Sequence, residues 1–147
     1  MNNEKKTLII LMADDDADDR LLAQEAMNES RVLNELHFVE NGVQLLSYLR
    51  GEDKFSERSK YPMPGLILLD LNMPKMDGRE ALEKIKADPR LRRIPIVILT
   101  TSKAEEDMAK GYDLGAASYI TKPVTFDALV ELMRTLGKYW VEFVELP

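Results

Sequence analysis

Short apolar runs alternate with amphipathic stretches along the chain, and that alternation predicts five strands and five helices. The first strand is expected over about Thr7 to Ala13, where Leu8-Ile9-Ile10-Leu11-Met12-Ala13 is continuous apolar sequence. A helix should follow, with Leu21, Leu22, Glu25 and Ala26 on one repeating face and Asp16 or Asp18 as its cap. Leu36 to Glu40 reads as a second strand closed by the turn signal Asn41-Gly42. Val43 to about Arg50 reads as a second helix, with Leu45, Leu46 and Leu49 at helical spacing. The polar stretch Gly51 to Pro64 is expected to be a long loop. Next comes the run Gly65-Leu66-Ile67-Leu68-Leu69-Asp70, then a turn at Pro74-Lys75-Met76-Asp77-Gly78 and a third helix through Ala81, Leu82 and Ile85. Ile96-Val97-Ile98-Leu99 forms a fourth strand ending at Thr100. The fourth helix covers about Ala104 to Leu114, with Gly115 placed as its C-cap. Ala117 to Thr121 is the fifth strand, and Phe126, Leu129, Val130, Met133 and Leu136 mark the fifth helix. Near-continuous apolar strands alternating with helices predict an α/β, doubly wound parallel sheet covered on both faces.

The polar residues that end these strands carry the chemistry. Strand one runs into Asp14-Asp15-Asp16, strand three ends at Asp70, strand four at Thr100, and strand five at Lys122-Pro123. Right-handed crossovers bring the carboxyl ends of parallel strands to one sheet edge, where such folds bind ligands. The same edge would therefore gather Asp14, Asp15, Asp70, Thr100 and Lys122. Clustered carboxylates repel one another, so a hard divalent cation with oxygen ligands is the natural occupant, and magnesium fits best. A carboxylate can attack phosphorus to give an acyl phosphate. On that reading Asp70 is the nucleophile, Lys122 neutralises an added phosphoryl oxygen and contacts only that, and Thr100 donates a hydrogen bond to another.

Composition narrows the partners. A chain of 147 residues with 45% hydrophobic content suits a single domain, taken here as 1–147 with a C-terminal extension from about 138. A net charge of −6 and a pI of about 4.9 argue against nucleic acid, which needs a basic patch to release counterions. There is no cysteine, so disulfides and thiolate metal sites are excluded. No segment approaches the ~18 apolar residues that span a bilayer. The apolar run after Lys5-Lys6 is too short, and meets acids too soon, for a secretory signal. A cytoplasmic location with no membrane association is the expectation. The single histidine, His37, sits on a predicted strand away from the acid edge and is read as structural, so a phosphohistidine donor should be another protein.

Met12-Ala13-Asp14-Asp15, Leu68-Leu69-Asp70-Leu71-Asn72-Met73-Pro74, Asp77-Gly78, Ile98-Leu99-Thr100-Thr101 and Tyr119-Ile120-Thr121-Lys122-Pro123 together resemble the receiver domain of two-component response regulators. The resemblance covers nearly the whole chain in the right order. It implies a flavodoxin-like sheet of order 2-1-3-4-5, an order the general rule for such folds illustrates with the chemotaxis member of this family. It also implies Asp70 as phospho-acceptor, with Asp15, Asp70 and the Asn72 carbonyl as direct Mg2+ ligands and Asp14 acting through water. Thr100 and Lys122 would be phosphate sensors, Tyr119 the aromatic switch, and the Lys122-Pro123 bond cis. The loop before strand three and the stretch Gly137-Lys138-Tyr139-Trp140-Val141-Glu142 are similar to single-domain regulators paired with cyanobacterial phytochromes and with other hybrid kinases. A sensor histidine kinase of that kind, or a phosphotransfer protein, is thus the implied partner.

Competing readings are weaker. Asp14, Asp16, Asp18 and Glu25 take positions 1, 3, 5 and 12 of an EF-hand loop, but Asp19 stands where the sharp-turn glycine belongs and the preceding segment is a strand. A flavin carrier fails because the acid loop would repel phosphate. A haloacid-dehalogenase-like phosphatase could use Asp14-Asp15-Asp16, yet Asp18 replaces the threonine or valine of that motif and no room remains for a cap. The chain is therefore expected to be a binding module rather than an enzyme with sustained turnover. Leu132, Leu136, Tyr139 or Trp140, and Phe143 form an apolar stripe that predicts a homodimer. The alternative is that Gly137 ends the helix and the aromatics fold back on the monomer.

Overall fold

The computed structural model describes residues 8–30, 34–111, 115–116 and 118–139. Each strand alternates its side chains between two faces, and here both faces are covered, which is why the runs are apolar throughout. The strands are β1 (Leu8–Ala13), β2 (Asn34–Val39), β3 (Leu66–Asp70), β4 (Ile96–Thr100) and β5 (Ser118–Thr121). They form one parallel sheet of order β2-β1-β3-β4-β5, as the resemblance implies. The helices are α1 (Ala17–Ser30), α2 (Gly42–Arg50), α3 (Gly78–Ala87), α4 (Lys103–Gly111) and α5 (Phe126–Tyr139). No helix among the described residues is long and apolar enough to cross a membrane.

Two hydrophobic layers result. Leu11, Ile67, Leu69, Ile96 and Ile98 face α2, α3 and α4, meeting Leu45, Leu49, Leu82, Ile85 and Ala109. Ile10, Leu66, Leu68, Val97 and Leu99 face the other way onto Ala23, Ala26 and Met27 of α1 and Val130, Met133 and Leu136 of α5. Leu68 is completely buried, and cutting such a residue to Ala typically costs on the order of 2–5 kcal/mol.

Several expectations shift. In α1 the buried face holds Ala23, Ala26 and Met27, so Ala26 of the expected face is buried, whereas Leu21 and Leu22 are exposed, because close approach to the sheet takes the alanines. β2 starts at Asn34 and ends at Val39, because Asn41 is the N-cap of α2 and accepts a hydrogen bond from the Gln44 amide at 2.8 Å. Gly137 does not end α5, which continues to Tyr139. Leu136 is buried and Leu132 packs partly against the same layer, so this part of the predicted dimer stripe serves the domain's own core. Trp140, Phe143 and most of the C-terminal extension lie outside the described residues, as do 112–114 of the predicted fourth helix.

The stretch from Gly51 to Pro64 is not a plain polar loop. It holds a short 3-10 helix at Asp53–Phe55 and buries Phe55. The Tyr48, Phe55 and Tyr61 rings pack with centroids 5.1 to 5.8 Å apart. Arg58 closes the end of α2 by donating to the carbonyls of Tyr48 and Leu49, each at 2.7 Å. Those carbonyls belong to the last turn of the helix, where the regular i→i+4 partners run out, and the Gly51 amide also donates to the Tyr48 carbonyl at 3.1 Å.

Candidate functional site

Sheet register brings the site together. Ala13 pairs with Leu69, Asp70 with Leu99 and Thr100 with Thr121. The next residues along, Asp14 and Lys122, therefore emerge beside Asp70 and Thr100 at one edge. Backbone hydrogen bonds fix both: the Asp14 amide donates to Val39 at 3.1 Å, and the Lys122 amide donates to Thr100 at 2.8 Å. No described peptide bond is cis. The cis Lys122–Pro123 bond implied by the resemblance is absent, and the ammonium reaches the edge from a trans linkage because its own backbone is pinned to β4.

Asp14 is fully buried, Asp70 is nearly so, and Asp15 is exposed. One carboxylate oxygen from each of the three lies within 4.8 Å of the others. The Lys122 ammonium sits among acids, 2.9 Å from Asp70 Oδ2, 3.1 Å from Asp14 Oδ2 and 3.0 Å from Asp19 Oδ2. This corrects the expectation that Lys122 contacts only an added phosphoryl group. A buried anion excess cannot stay uncompensated, and the lysine supplies the compensation inside the fold. Asp19 had no place among the candidate residues. The signal was available: Asp16 caps α1 by accepting from the amides of Asp18 (2.8 Å) and Asp19 (3.2 Å), which sets Asp19 in the first turn directly above the edge.

Electrostatics follow from this geometry. Burial pushes the Asp14 carboxyl up to about 6, against the opposing pull of the Asp16 amide and of Lys122. Burial also works against the charged form of Lys122. Hydrogen bonds to Asp70 and Asp19, with the charges of Asp70 and Asp14, outweigh it and raise the ammonium above its ordinary range.

The loop after β3 is held by short-range contacts. The Asn72 amide donates to Asp70 Oδ1 at 2.9 Å, and Asp77 caps α3 through the Glu80 amide at 3.0 Å. The Gly78 amide returns to the Leu71 carbonyl at 3.0 Å. A Cβ at Gly78 would lie 2.6 Å from the Asp70 carbonyl oxygen and 2.7 Å from Leu71 Cα, so only glycine lets α3 begin this close to the acceptor strand. The Asn72 side chain leaves the edge and donates to Glu105 Oε2 at 2.9 Å. Thr100 is fully buried, and its hydroxyl lies 3.3 Å from the Ser102 carbonyl and 3.4 Å from that of Ile120. Tyr119 is partly buried against the α2–α3–α4 layer. His37 lies away from the edge, 2.6 Å from Glu35.

The model of the response regulator receiver domain matches residues 10–134. The chain belongs to that family. Receiver domains act in two-component phosphorelays, and this one is 38% identical to response regulator Rcp1 of Synechocystis over 95% of this chain and 92% of the relative. A crystal structure of the phosphorylated cyanobacterial phytochrome response regulator RcpA superposes with a TM-score of 0.81 at 39% identity, covering 97% of this receiver and 99% of that chain. The Mn2+-bound form of Rcp1 gives a TM-score of 0.77 at 38% identity, over 95% and 99% of the two chains. The receiver has an acidic metal-binding pocket at its sheet edge, formed by Asp14, Asp15 and Asp70.

Proposed function

We propose that Asp70 accepts a phosphoryl group from a phosphohistidine of a sensor histidine kinase or phosphotransfer protein. The carrying observation is the convergence of Asp14, Asp15 and Asp70 around one point, with Lys122 Nζ 2.9 Å from the Asp70 carboxylate. An Asp70 oxygen would form the new P–O bond while the P–N bond of the donor breaks. The electron pair stays on the imidazole nitrogen, which takes a proton from water.

Asp14, Asp15, Asp70 and the Asn72 carbonyl would hold Mg2+, a hard cation suited to an all-oxygen donor set. When bound it supplies charge neutralisation for the attacking carboxylate and the transferring oxygens. The chain's own residues do the rest. Lys122 exchanges Asp14 and Asp19 for a phosphoryl oxygen. The Thr100 hydroxyl, held only by long contacts to backbone carbonyls, would turn toward another, and Tyr119, partly buried against the α2–α3–α4 layer, would be the switch residue that responds.

Leu21, Leu22 and Phe126 are exposed, and Val124 is almost fully so. They belong to α1 and to the segment that opens α5, both at the site's end of the sheet. An apolar rim of this kind suits a helical partner that must deliver a phosphohistidine to the edge. The likeness to phytochrome response regulators supports a photoreceptor or hybrid kinase as donor, acting in the cytoplasm. Output is by changed protein contacts rather than by turnover. Homodimerisation rests on the residues beyond 138 and is read by sedimentation with and without beryllofluoride. Phosphorylation with radiolabelled donor tests the whole reading: acid-labile label should reach about one phosphate per chain and stop. Sustained release of phosphate from a phosphomonoester would favour the phosphatase reading instead.

A further inference from the structure

Glu105 joins the two loops that flank the acceptor. It stands in the first turn of α4, where its amide donates to the Ser102 hydroxyl at 3.1 Å. One carboxylate oxygen, Oε2, accepts from the Asn72 side-chain amide at 2.9 Å. The other, Oε1, accepts from the Thr101 backbone amide at 2.9 Å and lies 3.4 Å from the Thr101 hydroxyl. Asn72 follows Asp70 by two residues and bonds it through its own amide, and Thr101 is adjacent to Thr100. A single side chain therefore spans the β3–α3 and β4–α4 loops. Desolvation opposes its ionisation, but the Asn72 amide, both Thr101 groups and the nearby Arg79 charge outweigh it, and Glu105 is held below the ordinary carboxylate range. It is an anion at the mouth of a pocket that must admit another.

We propose that Glu105 is a positioning residue that straps the β3–α3 loop to the β4–α4 loop in the phosphate-free state and must release them for a phosphoryl group to settle on Asp70. The proposal builds on the assignment of Asp70 as acceptor. Three physical effects run in the same direction. The carboxylate repels an incoming anion of like charge. It occupies hydrogen-bond donors on the two loops nearest the acceptor, where three new acceptor oxygens will arrive. It also ties α4 to the acceptor loop, so its release couples occupancy of Asp70 to the position of α4.

The test uses acetyl phosphate, whose P–O bond to the acetyl group breaks as the Asp70 oxygen bonds phosphorus, with the electron pair leaving on acetate. Uptake rate and Mg2+ affinity are measured for wild type, Glu105→Ala, Glu105→Gln, Asn72→Ala and the Asn72→Ala/Glu105→Ala pair. Glu105→Ala should take up phosphate roughly three- to tenfold faster, the effect of losing one or two modest hydrogen bonds. Mg2+ affinity should stay within about twofold, since Glu105 holds no cation. Glutamine can accept from only one of the two donors, so Glu105→Gln should fall between wild type and Ala. Asn72→Ala should remove at least half, on a logarithmic scale, of the acceleration that Glu105→Ala produces, because the strap acts through Asn72. A wild-type uptake rate in both Glu105 variants, or fully additive effects with Asn72→Ala, overturns the strap; should Glu105→Ala fail to fold, Glu105→Gln alone decides. Label retained by Asp70→Asn would overturn the acceptor assignment itself, and the strap with it, a result distinct from unchanged Glu105 kinetics.

Discussion

Two ionic clusters meet the C-terminal end of β5, one at Thr121 and one at Lys122, and they are near mirror images in charge. At the sheet edge one ammonium, Lys122, serves Asp14, Asp19 and Asp70, with Asp15 close by. On α4 one carboxylate, Glu106, serves two ammonium groups, Lys103 at 2.9 Å and Lys110 at 3.0 Å, and accepts from the Thr121 hydroxyl at 3.1 Å. The difference lies in balance. Around Glu106 the charges nearly cancel once Asp107, 3.4 Å from Lys103, is included, and the lysines reach solvent. Around Lys122 the carboxylates exceed the single cation, and two of them are buried. A balanced cluster is a tie between a helix and a strand. An unbalanced one keeps a standing demand for positive charge, which a divalent cation would meet and which would then let a phosphate sit beside it.

The largest effect that can break this comparison is Asp70→Asn. It preserves size but removes the attacking oxygen, so phosphorylation from acetyl phosphate or a kinase should vanish, as read by acid-labile radiolabel. The fold should persist, since the amide can keep the Asn72 bond to its oxygen. Next is the metal. Asp15→Ala should weaken Mg2+ binding by about tenfold or more in calorimetric titration, because a ligating carboxylate is lost. Asp16→Ala should leave the affinity far less changed and instead cost about 1 kcal/mol in denaturant unfolding, the usual loss for an N-cap. pH sharpens the same point. Asp14 sits at about 6, raised above its unfolded value by burial. Its ionised form is therefore a cost to the metal-free fold at neutral pH, relieved as pH falls through about 6. Protons and cation compete for that carboxylate, so Mg2+ affinity should drop by up to about tenfold per pH unit below 6.

How much of this was legible in sequence depends on where each residue gets its identity. Asp14, Asp70, Thr100 and Lys122 were legible because apolar strands deliver them, and parallel topology sends strand ends to one edge. Asp19 and Glu105 were not, because they sit on helix first turns within otherwise ordinary acidic stretches. Only the tertiary approach of α1 and α4 to the edge gives them partners. The Gly51–Pro64 segment failed for a related reason. Its composition is polar, yet Phe55 and Tyr61 close on Tyr48, and Arg58 finds the end of α2; aromatic contacts across a loop have no period to detect. In α1 the pattern grouped Leu21, Leu22, Glu25 and Ala26 on one face, of which the sheet takes Ala26, together with Ala23 and Met27, and leaves the leucines at the rim.

Lys122→Ala follows in size. With the ammonium gone, Asp14, Asp19 and Asp70 face one another unneutralised, and the metal-free protein should lose about 1–3 kcal/mol, less than a fully buried pair because Lys122 is partly solvated. Mg2+ should restore most of that loss, since the cation replaces the missing charge, and the variant's melting temperature should become more Mg2+-dependent than wild type's. A Lys122→Ala protein as stable as wild type without metal would mean that the lysine contacts at this edge carry no weight.

Glu106→Gln is the smallest effect and the cleanest control. Its lysine partners are exposed to solvent, so the two ion pairs are worth little, and the unfolding midpoint should barely shift. Glutamine keeps an oxygen for the Thr121 hydroxyl, so the tie between α4 and β5 should survive. The pH signature should be opposite in sign to that of Asp14. Hydrogen bonds from Lys103 and Lys110 hold the Glu106 carboxyl down at about 2, below its unfolded value. Its contribution is therefore complete above the unfolded value near 4.5 and is lost as pH falls toward 2. Metal-free denaturation measured from pH 7 downward should separate the two clusters. The Asp14 cost disappears first, through about 6, and is abolished by Asp14→Asn. The Glu106 contribution fades only at the acid end, and is abolished by Glu106→Gln. Identical pH profiles for wild type and both variants would show that neither cluster titrates with the fold, and would remove the contrast between a balanced tie and an unbalanced site.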